Sequence, residues 1–129
     1  MKKTFAYLSA SLLAVVLIAS CHKDDDNNHG CSLDLTSTAS ADGIVVYSVT
    51  VATGAGTASS VTYKGTSGDV TVKNPPLPFH VSIDKKKNDA IYIVADVTAD
   101  NGGQVLVGYA FTANGGAGDI DQSSRTCPQ

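Results

Sequence analysis

The body of this 129-residue chain, residues 31–129, carries a single histidine, His80, two residues before Ser82. A serine beside a base is the beginning of an activated nucleophile. Alternation along residues 79–84 places both on the polar side of a strand, pointing outward, and the chain has no Gly-x-Ser-x-Gly turn. His80 is therefore read as a surface histidine. Asp100 and Asn101, with Asp119 and Asp121 after Gly115-Gly116-Ala117-Gly118, hold oxygens of the kind that bind Ca²⁺. All 12 acidic residues are Asp, so no Glu offers bidentate binding, and no calcium-loop spacing is present. These residues are read as polar loops. Lys85, Lys86 and Lys87, before Asn88-Asp89, are read as a solvated turn that blocks edge association rather than as an anion or lipid-headgroup site. No phosphate loop, metal cage or paired-carboxylate site is legible. The expectation is a non-enzymatic protein with no cofactor and no metal.

The elements that must position these residues are strands. Glu and Trp are absent, the only Met is Met1, and beyond residue 20 the leucines are Leu33, Leu35, Leu77 and Leu106. Helix formers are thus scarce while Val, Thr, Ser and Gly abound. A period of two recurs: Val45, Tyr47, Val49 and Val51 face one way, as do Val61 and Tyr63, Val70 and Val72, and Phe79, Val81 and Ile83. Two longer runs follow, at 90–98 and 104–113. Gly and Pro clusters mark every junction, and the pattern predicts an all-β fold, a small sandwich of about seven strands. Asn101-Gly102 suggests a hairpin. A three-residue loop pairing Asp100 with Gln104 would set Ile93 against Phe111, Ala95 against Tyr109 and Val97 against Val107, with Gly103 at positive φ. The outward face of that hairpin then carries Tyr92, Val94, Asp96 and Thr98 beside Leu106, Gly108, Ala110 and Thr112. Tyr92, Val94 and Leu106 would form an apolar patch suited to a partner, unless the segment 120–127 folds back over it.

Residues 1–20 are a different kind of segment. Lys2 and Lys3 precede an apolar run at 5–18 that is too short to span a bilayer comfortably. The run ends in Ile18-Ala19-Ser20-Cys21, which resembles the lipobox of bacterial lipoprotein signal peptides. The resemblance implies cleavage before Cys21, acylation of its thiol and anchorage in a lipid bilayer. Residues 21–30, with His22, Lys23, Asp24, Asp25, Asp26 and His29, contain nothing apolar to bury and are read as a flexible acidic tether rather than a metal site. The run Lys23-Asp24-Asp25-Asp26 is similar to the export tag of surface lipoproteins in Bacteroidetes-type bacteria. The expected location is the outer membrane or cell surface. A net charge of −3 argues against nucleic acid as partner.

With Cys21 assigned to lipid, Cys31 and Cys127 flank the body. In an oxidising compartment they read as one disulfide, with two free thiols or a link to another chain as the alternatives. From Val46 onward the body resembles the extracytoplasmic domain of the mycobacterial small membrane-protein (MmpS) family. The pieces are Val46-Tyr47-Ser48-Val49-Thr50, Gly56-Thr57-Ala58, Val61-Thr62-Tyr63, Pro76-Leu77-Pro78-Phe79 and the near-terminal Cys127. That resemblance implies an immunoglobulin-like β-sandwich and an accessory or interaction role in an envelope or transport complex. A surface module for a glycan or another small ligand is the alternative, and an enzyme is disfavoured.

Overall fold

The computed structural model describes residues 29–115 and 120–128. The leader, Cys21, the tether up to Asn28, and Gly116-Ala117-Gly118-Asp119 lie outside the described residues. Six strands are present, β1 (His29–Thr38), β2 (Gly43–Lys64), β3 (Asp69–Lys73), β4 (Phe79–Lys85), β5 (Ala90–Ala113) and β6 (Ile120–Cys127), and no helix occurs among the described residues. The fold is all-β, as the scarcity of helix formers requires. All six strands belong to one antiparallel sheet, curled into a half-barrel. β1 was not foreseen as a strand. It begins at His29, two residues inside the expected tether, and pairs with β5 from His29↔Ala99 to Thr38↔Ala90.

Two long strands carry the architecture. β2 has 22 residues and β5 has 24, and they pair antiparallel from Gly43↔Ala113 to Tyr63↔Ile93. β4 flanks the first part of β2 and β6 the second part of β5. β3 flanks the second part of β2 and β1 the first part of β5. The sheet therefore has two four-stranded halves that share β2 and β5. Both strands bend where the halves meet, at register shifts around Thr53 and Ala55, opposite 100–104.

The expected hairpin at Asn101-Gly102 is corrected here. Asn101 and Gly102 do take positive φ, 53° and 78°, but the chain bends and continues along β2 instead of reversing. Gly103 is not among the positive-φ residues. Its role is close approach, because a Cβ there would lie 2.5 Å from the Ala55 carbonyl oxygen. Ile93 consequently pairs with Leu35 and Tyr63, while Phe111 pairs with Val45. The two long strands are single strands for the same reason. Gly54 at φ 64° supplies the matching bend in β2, where the sequence suggested a break.

Most inward residues are those the alternation predicted; Val70, expected inward with Val72, is left 39% exposed on the short edge strand β3. Val45, Tyr47, Val49, Val61, Ile91, Ile93, Val105, Val107 and Phe111 are at most 1% exposed. The halves face each other across this core, where Tyr47 stacks obliquely on Tyr63 at 5.4 Å and Tyr63 on Phe79 at 6.2 Å. One side of the half-barrel is stapled. Cys31 of β1 and Cys127 of β6 form the intramolecular disulfide, with Cα atoms 5.9 Å apart. Further along the same seam, Asp121 accepts hydrogen bonds from Ser37 at 2.8 Å and from the Tyr109 hydroxyl at 3.1 Å. The opposite side is open among the described residues: there β3 and β4 each pair only with β2, and their Cα atoms do not approach within 8 Å of each other.

Candidate functional site

The outer face of the β4–β2–β5–β6 half holds an open groove of about 510 Å³, lined among others by Ser48, His80, Leu106, Gly108, Ala110 and Gln122. Strand pairing explains its shape. Directly opposed residues point to the same face, and here His80 lies opposite Ser48, Ser48 opposite Gly108, and Gly108 opposite Ser124. The floor is low because Gly108 and Ala110 are small. A Cβ at Gly108 would lie 3.1 Å from the Ser123 carbonyl oxygen, so a side chain there would press on β6. Leu106 and Val46 give the groove apolar walls, and both are half-buried. Ser48, His80, Gln122 and Ser124 give it hydrogen-bonding groups. His80 and Ser82 are both exposed on this face, as their alternation indicated.

The expected apolar patch is divided by the fold. Leu106 lies in this groove, beside Thr50 and Thr126. Tyr92 and Val94 lie on the other half of β5, between β1 and β2, where Val94 pairs with Asp34 and Thr62. Because β5 bends rather than reverses, residues 92–94 and 106 never become lateral neighbours. The segment 120–127 does not lie over either face; it pairs edge-on with β5. The acidic residues are separated too. Asp100 is at the bend opposite Ala55, whereas Asp121 sits opposite Phe111 in the seam.

A second site is one that the sequence reading missed. Lys85 was grouped with Lys86 and Lys87 as a solvated turn, yet its side chain points inward opposite Gly43 and is 4% exposed. The ammonium donates to the Ala90 carbonyl at 2.7 Å and to the Lys64 carbonyl at 3.1 Å. It thereby ties β4 to the far ends of β2 and β5. The Tyr47 hydroxyl donates to the same Lys64 carbonyl at 3.1 Å and accepts the Tyr92 amide at 3.3 Å. Burial lowers the Lys85 pKa below the usual lysine value; the Asp89 carboxylate partly restores it and Lys64 adds to the lowering. Burial likewise raises Tyr47, against the stabilising amide of Tyr92. It raises Tyr109 as well, where the Ser37 hydrogen bond opposes and Asp121 adds to the effect. The signal for Lys85 was its odd number, in phase with Phe79, Val81 and Ile83. Only Lys86 and Lys87 form the exposed turn, their amides held by Asp89 at 2.9 Å and Asp42 at 2.8 Å.

A polar cleft of about 420 Å³ lies over this end of the half-barrel, lined by Asp42, Asp84, Lys85, Asp89 and Asn114 among others. Asp42 and Asp89 spend carboxylate oxygens on the turn amides, which makes them supports of the loop. No family model, curated protein or solved structure matches the chain.

Proposed function

We propose that this chain is a non-enzymatic lipoprotein, anchored through acylated Cys21 in the outer membrane or at the cell surface, whose β-domain docks a protein partner of an envelope or transport complex. The single observation that carries the docking role is the outer groove, with a floor of small residues and the half-buried Leu106 and Val46 in its walls. Apolar walls gathered around a concave floor, with polar groups at the margin, are the kind of surface at which partners dock. The curled sheet is further read as an immunoglobulin-like sandwich whose two layers stay joined through the bends of β2 and β5. The facing halves, and the ordered pieces that resemble the MmpS family, support that reading.

A photocrosslinking residue at position 106 or 80 tests the groove. Position 92, on the other half, serves as the reference. Adducts from 106 and 80 but not from 92 are expected in cell envelopes. Adducts from 92 alone would move the docking surface to the other half and overturn the reading. The hydroxyls of Ser48 and Ser124, with His80 and Gln122, favour a second reading in which a glycan or another small polar ligand occupies the groove. A glycan array with the Leu106→Asp variant as reference separates the two.

A further inference from the structure

Of the two open edges, β3 is kept short at 5 residues, a common way of preventing edge pairing. β4 is less guarded, its one such device being the inward-pointing Lys85 at its last position. It runs for 7 residues in unbroken register with β2 and contains no proline. Its inner-face residues Phe79, Val81 and Ile83 are only half-buried at the open side, while His80, Ser82 and Asp84 are exposed on the outer face.

We propose that this edge pairs with β4 of a second copy of the chain, antiparallel, about a two-fold axis at Ser82. Centred there, His80 of each copy faces Asp84 of the other on the outer face, so a donor or cation meets a carboxylate twice. On the inner face Val81 meets Ile83 twice, which covers apolar surface that the single chain leaves half-bare. Centring the axis on Val81 or Ile83 loses the His80–Asp84 contacts. Pairing β4 with β3 of another copy, Ser82 opposite Thr71, sets Asp84 against Asp69 and His80 against Lys73. In that fully overlapping register like charges oppose the head-to-tail arrangement that would grow into open filaments, whereas opposite charges favour the closed dimer. The inference concerns a strand edge; because His80 belongs both to that edge and to the groove, crosslinking from position 106 reports on the groove and the Ser82→Cys link reports on the edge.

Sedimentation of the full chain in detergent, with oxidative crosslinking of a Ser82→Cys variant, tests it. The parent is expected as a dimer, and the new thiols, opposite each other at the axis, are expected to link two copies where the parent under the same oxidant does not. Ser82→Lys sets two lysines face to face, and His80→Asp sets Asp against Asp84. Each is expected to raise the dimer dissociation constant by roughly tenfold or more. His80→Lys is expected to keep the dimer. Thermal midpoints close to the parent's would show that these exposed substitutions leave the fold intact. A monomeric parent, a dimer indifferent to Ser82→Lys, or a Ser82→Cys variant that links only to a foreign protein would each overturn the proposal.

Discussion

Lys85 shows how much one side chain's direction decides. The run Lys85, Lys86 and Lys87 looks uniform in sequence, yet the first residue continues the inward phase of β4 and the other two leave the strand. Its buried ammonium keeps its long stem against the core and satisfies two carbonyls at the ends of other strands. Because burial lowers its folded pKa below 10.5, the folded state binds this proton less tightly than the unfolded chain does. The resulting penalty is full below the folded pKa and disappears as pH rises to 10.5, so this group's contribution to stability increases with pH in that window. The raised pKa values of Tyr47 and Tyr109 act oppositely, stabilising below 10.0 and fading as pH rises through their folded values. A Lys85→Met variant keeps the tyrosines and loses only the lysine titration. The expected outcome is that the parent's thermal midpoint gains on the variant's as pH is raised from neutral towards 10.5. A gap independent of pH would mean that the ammonium is not desolvated.

Elements, rather than single residues, hold the half-barrel closed on one side. β1 and β6 each pair with β5, and across the seam between them lie the Cys31–Cys127 bridge and the Ser37–Asp121–Tyr109 hydrogen bonds. The bridge spans a separation of 96 residues. On the chain-entropy account, cross-linking a loop of this size stabilises by up to about 4.7 kcal/mol. Replacing both cysteines by alanine is expected to lower stability by a large part of that figure, read by urea denaturation. Unchanged denaturation would show that the seam holds without its covalent staple. The bend depends on a different kind of residue. Gly103→Ala would place a Cβ within 2.8 Å of three backbone atoms of Thr53 and Ala55, none of which a side-chain rotation can relieve. A loss of about 1–3 kcal/mol is expected by the same measurement. Alanine at Gly102 meets no neighbouring atom, so only the strain of its φ of 78° remains and a smaller loss is expected.

At the scale of the whole molecule, the anchoring proposal makes the simplest prediction. Cys21→Ala is expected to abolish acyl labelling and release the protein from membranes, while the melting of the β-domain stays unchanged; persistent labelling would end the proposal. Much of the domain itself was legible in the sequence. Composition determined that the fold is all-β, alternation determined which residues of β2 and β5 face the core, and the flanking cysteines indicated the bridge. These are local properties, since side chains alternate with a period of two whatever strand lies alongside. Pairing is not local. Apart from Asn101 at the bend, odd-numbered residues of 91–113 face inward whether Asn101-Gly102 reverses the chain or bends it, so the pattern is the same for a hairpin and for one long strand. Only the tertiary structure decided between them: β2, arriving from far away in sequence, runs along β5 from Ile93 to Ala113 and covers both parts at once. That pairing separates Tyr92 and Val94 from Leu106 and sets Leu106 and His80 in one groove, and among the described residues it leaves β4 with a free edge.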